Sequence, residues 1–211
     1  QKALDFYQQG LNYAHEAKMH NWESVFLGGQ GIAHAAFGDM RKAIEFHEQA
    51  LKSDRQIGYR NGEGANLGNL GNRYAALGDE RKSIEFYEQA LVIHREIGDR
   101  TGEENNLGSL GNAYMGLGEA RKAIEFYEMT LVIAREIGDR GNEGRALGAI
   151  GLAFLDLDDY QKAIDVFLQS IQISDEISTA DVQLESRRGL AQAYLFQIDL
   201  VNARATIEAA L

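Results

Sequence analysis

The sequence predicts an all-α fold, a solenoid of stacked antiparallel helix pairs with about eleven helices and no strand. Three observations predict it. The chain matches itself at a spacing of 40 residues, apolar residues inside each period recur three, four and seven apart, and 23 glycines occur with no proline at all. Residues 38–77 and 78–117 agree at 25 of 40 positions without a gap, and 78–117 and 118–157 agree at 23. The same frame extends more weakly to both ends, where Lys2-Ala3-Leu4 falls on Lys42-Ala43-Ile44.

Each period holds two helical segments. Ile84, Tyr87, Ala90 and Leu91 line one face of a helix after Gly78, and Leu67, Leu70 and Tyr74 form a similar stripe in the segment before it. Between them the punctuation is regular. Gly-Asp stands at 38–39 and 78–79, Gly-Glu at 118–119, and Ile-Gly at 57–58, 97–98 and 137–138. A glycine after a helix supplies the left-handed cap, and an acidic residue after it caps or favourably charges the next N-terminus. The expected helices are 2–17, 22–37, 40–57, 62–77, 80–97, 102–117, 120–137, 142–157, 160–177, 182–197 and 200–211. The expected organisation is a single array over 1–211: an orphan second helix at 1–20, four full repeats at 21–60, 61–100, 101–140 and 141–180, and a truncated fifth at 181–211. Because the frame opens inside a unit and closes inside another, a segment of a longer chain is expected.

Composition narrows function. A hydrophobic fraction of 45% with 25% charged residues is that of a folded protein. Zero cysteines exclude disulfides, thiolate metal sites and cysteine catalysis. With 21 basic against 32 acidic residues the net charge is −11, which opposes nucleic acid and anionic membranes. No run has the apolar length of a membrane span and the N-terminus has no signal-peptide pattern, so a cytoplasmic location is expected.

The repeat resembles the tetratricopeptide repeat, whose pattern is a large residue, Leu-Gly, Tyr and Ala-x3-Phe. Leu67, Leu70-Gly71, Tyr74 and Ser83-x3-Tyr87 carry it in one unit. Leu107, Leu110-Gly111, Tyr114 and Ala123-x3-Tyr127 carry it in the next, followed by Leu147, Ile150-Gly151, Phe154 and Ala163-x3-Phe167. The period is 40 where the usual repeat has 34, and the terminal proline is missing; a longer second helix explains both. Long repeats ending in REIGD(R) resemble those of the LGN/Pins spindle-orientation adaptors and of bacterial regulatory arrays. The resemblance implies a right-handed superhelix and a protein-binding scaffold.

By that resemblance the first helices line a concave groove. Its expected partner-binding residues are Asn72 and Asn112, whose amides can pair with a peptide backbone, and Arg145 and Arg188, which can grip a carboxylate, beside apolar Leu152 and Leu155. For each the alternative is an ordinary surface side chain. Gly31, Gly71, Gly111 and Gly151 match the family's close-packing glycine. The second series, Gly28, Gly68, Gly108 and Gly148, reads either as further close packing or as a floor for a partner helix, with packing preferred.

Catalytic readings are poor. His15-Glu16 and His20 have one residue too many for HExxH, and histidines five apart on a helix do not share a face. Gly28-Gly29-Gln30-Gly31 lies inside an expected helix with no strand before it, so phosphate cradling is improbable. The pairs Glu103-Glu104 and Asp158-Asp159 are expected to complement helix starts. The expected function is therefore a non-catalytic scaffold that binds a peptide or helix of a protein partner, without cofactor or metal. The alternatives are a structural module that self-associates through its repeat ends and a regulatory or sensor arm of a larger multidomain switch.

Overall fold

The computed structural model describes residues 2–210, with side chains for 2–179 and 182–198. Its described residues form ten α-helices: α1 (Lys2–Glu16), α2 (His20–Ala36), α3 (Met40–Ile57), α4 (Arg60–Ala76), α5 (Glu80–Ile97), α6 (Arg100–Gly116), α7 (Ala120–Ile137), α8 (Arg140–Asp156), α9 (Tyr160–Ile177) and α10 (Ala180–Ala210). The expected count of eleven is corrected to ten. The expected segments at 182–197 and from 200 on fall in one continuous helix as far as Ala210, because β-branched Ile198 stands where Gly38, Gly78, Gly118 and Asp158 take the positive φ that ends the equivalent helix.

The first helices of each pair start two residues earlier than expected, at His20, Arg60, Arg100, Arg140 and Ala180. The turn chemistry explains the start. Gly58, Gly98 and Gly138 take φ of 68°, 71° and 76°, a region open to glycine at little cost, and the helix begins after one further residue. At Asp99 and Asp139 that residue's carboxylate accepts the backbone N–H of Gly102 at 3.0 Å and of Asn142 at 2.9 Å. The second helices are capped in the same way, by Asp39, Asp79 and Asp159 accepting from the N–H of Lys42, Lys82 and Lys162.

The chain divides into two compact units, residues 1–113 and 114–211. In the first, Leu67 and Leu70 of α4 are buried between Leu51 of α3 and Ala90 and Ile93 of α5, with Ile44 and Phe86 closing the cluster. Tyr74 stacks on Phe86 with ring centroids 5.3 Å apart, and the Lys82 ammonium lies 4.1 Å above the Tyr74 ring. In the second unit Phe167, fully buried, packs with Ala163, Ile164 and Ala193, and Leu152, Phe154, Leu155 and Leu190 border them. There Tyr114 repeats the stack on Phe126 at 5.2 Å with Lys122 above it at 4.0 Å.

A polar circuit accompanies this packing. Arg55 Nε donates to Glu63 Oε1 at 2.8 Å, and Arg60 donates from one guanidinium nitrogen to Glu63 and from another to Glu96. The set recurs as Arg95, Arg100 and Glu103, and in the second unit as Arg135, Arg140, Glu143 and Glu176. Burial pulls the Glu63 and Glu143 carboxyls upward, but the two guanidiniums on each outweigh it and hold them below the ordinary range. REIGDR is thus the sequence of an ion-pair circuit between neighbouring helix pairs. Glu103 does more than charge a helix start: it is 5% exposed and held by two arginines.

At the N-terminal end His15, His20 and Glu23 occupy the positions of Arg55, Arg60 and Glu63. His15 Nδ1 lies 3.5 Å from Glu23 Oε1 and His20 Nδ1 3.3 Å from Glu23 Oε2. The expectation that these histidines share no face is corrected. They stand on different helices, and the turn between α1 and α2 aims both at one carboxylate.

Candidate functional site

In the first unit the first helices α4 and α6 leave a cavity of about 320 Å³ between them. Its lining is mostly amide and hydroxyl: Asn69, Asn72, Asn105, Asn106, Thr101 and Ser109, over a floor of Gly64 and Gly68. The 40-residue register explains why these groups converge. Asn69 and Ser109 are equivalent, as are Asn72 and Asn112, and Ala65 and Asn105, so each inward position recurs on the neighbouring helix.

Asn72 is exposed and lines this cavity. Its carbonyl accepts the Tyr87 hydroxyl at 2.8 Å, a bond that does not use the amide N–H groups. Tyr87 is buried, and that burial pushes its phenol up to about 12, with Ser109 also bonded to it and opposing the rise. It is therefore a neutral donor at physiological pH. Asn112 lies exposed on α6 one repeat on. His94, 5% exposed, and Asp99 close one end; His94 Nδ1 lies 2.8 Å from Asp99 Oδ2, without hydrogen-bond alignment.

The glycines have distinct surroundings. A Cβ on Gly31 would stand 2.7 Å from the His47 ring, on Gly71 2.4 Å from the Tyr87 ring and on Gly151 2.6 Å from the Phe167 ring. Gly111 is buried on α6. In the second series a Cβ on Gly28 or Gly68 would meet the amide oxygen of Asn66 or Asn106 at 3.2 Å, and on Gly148 the Ser186 hydroxyl at 3.2 Å. These glycines face the next first helix, and Gly68 also reaches the cavity floor.

The second unit carries the remaining expected site residues. Arg145 and Arg188 are exposed on α8 and α10, and Arg145 donates to Asn142 Oδ1 at 3.3 Å. Leu152 and Leu155 are half-buried against the Phe167 cluster, so part of each side chain is committed to the core.

Sequence reasoning missed Asn69, Asn105 and Ser109, although the register marked them as neighbours of Asn72 and Asn112. It also missed a buried polar seam. Asp54, fully buried, accepts from the Ser24 hydroxyl and from Asn66 Nδ2 at 2.8 Å, and Asn66 Oδ1 lies 3.0 Å from His47 Nδ1. Because that oxygen can only accept, the His47 proton is assigned to Nδ1, and its Nε2 is buried without a partner. No periodic signal announces the seam, since the positions equivalent to Asp54 are His94, Ala134 and Ser174.

Among the described residues, no group of three or more His, Cys, Asp or Glu side chains is arranged to hold a metal ion, and no helix is long and apolar enough to cross a membrane. Helix pairs in a fixed 40-residue register, with an amide-lined cavity between successive first helices, define a helical-repeat protein. The tetratricopeptide repeat model matches residues 23–96 and 102–176, and the chain belongs to the tetratricopeptide repeat family. No curated protein matches its sequence. Among solved structures it is similar to BtubC (BKLC) from P. vanneervenii, with a TM-score of 0.82 and 16% identity over 99% of this chain and 88% of that one. A putative kinesin light chain repeat protein from Podosopora anserina gives a TM-score of 0.69 and 19% identity over 87% and 90%. NprR in complex with its cognate peptide NprX gives 0.63 and 19% over 96% and 59%. At these identities the likeness shows the fold alone.

Proposed function

We propose that the chain is a non-catalytic interaction scaffold that binds an extended segment of a partner protein along its first helices, with the amide-lined cavity of the first unit as the principal contact. The observation that carries the reading is the convergence of Asn69, Asn72, Asn105 and Ser109 on one open cavity without a charged side chain among the four. Such groups match the alternating donors and acceptors of a peptide main chain and make few demands on its sequence. NprR, whose fold is similar, was solved with a peptide bound. Asn112 extends the amide row. In the second unit Arg145 and Arg188 grip a partner carboxylate, and the exposed parts of Leu152 and Leu155 contact apolar side chains.

Selection from a random dodecapeptide library on the intact chain tests this. Selected peptides should bind Asn72→Ala/Asn112→Ala about tenfold more weakly, the cost of two hydrogen bonds to a main chain. Peptides that bind the double variant as well as the wild type would remove the assignment.

A further inference from the structure

A second cavity in the first unit, of about 670 Å³, opens between the N-terminal ends of α2 and α4 and is lined by Lys18, His20, Trp22, Val25, Ile57 and Tyr59, among others. It corresponds to the turn end of the amide-lined cavity one repeat later, with Val25 equivalent to Ala65 and Tyr59 to Asp99. Its chemistry is different. Trp22 replaces Gly62 and Gly102, Val25 replaces Ala65 and Asn105, and Tyr59 replaces Asp99 and Asp139. Lys18 replaces Gly58, Gly98 and Gly138, and it holds φ at 56°. Four departures from the repeat therefore line one cavity, and one of them places a cation in a backbone conformation that disfavours any side chain.

The repeat itself does not require these residues, because the two copies that follow fold with glycine, alanine, asparagine or aspartate in their place. Trp22, Val25, Ile57 and Tyr59 remain 48%, 47%, 39% and 40% exposed, so apolar surface is left open to solvent. Lys18 is exposed at the rim and makes no ion pair among the described residues, whereas His20 is engaged by Glu23.

We propose that this cavity is a side-chain subsite for the same peptide partner: it takes one aromatic or long aliphatic side chain against Trp22 and Tyr59, with a carboxylate within two residues of it on Lys18. The proposal rests on the peptide-binding reading above. Charge complementarity selects the carboxylate, since Lys18 lines the cavity and makes no ion pair among the described residues. Continuity selects a peptide, since the neighbouring groove offers main-chain partners and this one a receptacle for what the main chain carries. The amide cavity then supplies sequence-tolerant grip, and this subsite supplies discrimination.

Trp22 is the only tryptophan in the chain, so its emission reports this cavity alone. Peptides enriched by the dodecapeptide selection should carry a large apolar residue within two positions of Asp or Glu, and on binding they should shift Trp22 emission to the blue. Trp22→Ala should weaken them about tenfold or more, the value of burying one large side chain, and Lys18→Glu should weaken them further or reverse the acidic preference. Circular dichroism of Trp22→Ala should match the wild type, because neighbouring repeats carry glycine there; if it does not, Lys18→Glu and the emission shift decide the question. Peptides that bind with unmoved Trp22 emission, or equally well to both variants, overturn the subsite and leave the peptide reading intact. Failure to enrich any peptide on the wild-type chain overturns both.

Discussion

Arg135 Nε donates to Glu143 Oε1 at 2.8 Å across the turn between α7 and α8, and the contact repeats the one between Arg55 and Glu63 at the same length. The carboxylates are nearly buried while the arginines remain about half-exposed, so each guanidinium extends from solvent inward to a fixed acceptor. Arg140 carries the circuit on to Glu176. Helix pairs are thereby joined by charge-assisted hydrogen bonds as well as by apolar packing.

Glu63→Gln should lower stability by ~1–3 kcal/mol, because two arginines lose their anion and a buried acceptor is replaced by an amide that cannot satisfy both. The wild-type contribution has a defined pH range. The folded Glu63 carboxyl lies below its ordinary value of 4.5, so the stabilisation is present above pH 4.5 and is lost as the pH falls through the folded value. Urea melts at neutral and acid pH should show the difference between wild type and Glu63→Gln shrinking on acidification. A constant difference would contradict the circuit.

His47 and Asp54 act in opposite senses. Burial pushes the His47 imidazole below its ordinary 6.5, the nearby Arg73 adding to the effect and Asn66 opposing it. Its contribution is therefore present above pH 6.5 and lost as the pH falls through the depressed value. Burial pushes the Asp54 carboxyl up despite its bonds to Ser24 and Asn66, so its desolvation cost at neutral pH is relieved on acidification. His47→Phe, with Phe167 as precedent against Gly151, should flatten the loss of stability just below pH 6.5. Asp54→Ala should cost ~1–3 kcal/mol at pH 7 by orphaning two buried donors, and thermal melts read both.

His15→Arg with His20→Arg should rebuild around Glu23 the clamp seen at Glu63. Arginine stays charged at any accessible pH and presents a planar fork. Both histidines are mostly exposed, so a gain of only ~0.3–1 kcal/mol is expected. Amide hydrogen exchange in α1 should slow by a few-fold in the double variant, and unchanged exchange would show that the clamp does not hold α1.

Glycine-to-alanine changes should separate the two glycine series. Gly71→Ala drives a Cβ to 2.4 Å from the buried Tyr87 ring, and overpacking of ~1–3 kcal/mol outweighs a helix-propensity gain of ~1 kcal/mol. Gly68→Ala meets only the Asn106 amide oxygen at 3.2 Å, which can yield, so it should be close to neutral in thermal melts. A Gly68→Ala as damaging as Gly71→Ala would mean that the second series packs as tightly as the first.

The helices and their pairing were legible because they rest on local rules. Leu67, Leu70 and Tyr74 mark a stripe, Gly58 and Gly98 mark turns, and a match at 40 residues repeats both. Asn72 and Asn112 were legible as recurring polar positions on first helices. Two kinds of feature were not. The last hairpin expected near 198–201 is absent because a missing turn signal leaves the helix free to continue. The arginine circuit was visible only as the string REIGDR, whose Arg135 and Arg140 find their partners Glu143 and Glu176 on different helices.

The sequence by itself determined the repeat, the all-helical class and the family, because periodicity and turn residues are local properties that add along the chain. Tertiary structure decided which side chains share a space. It turned Asn72 toward Tyr87 as well as toward a cavity, joined His15 and His20 at Glu23, buried Asp54 among Ser24 and Asn66, and collected Lys18, Trp22, Val25 and Tyr59 around one opening. Those relations depend on distances between residues on different helices, which are fixed only when the helices pack.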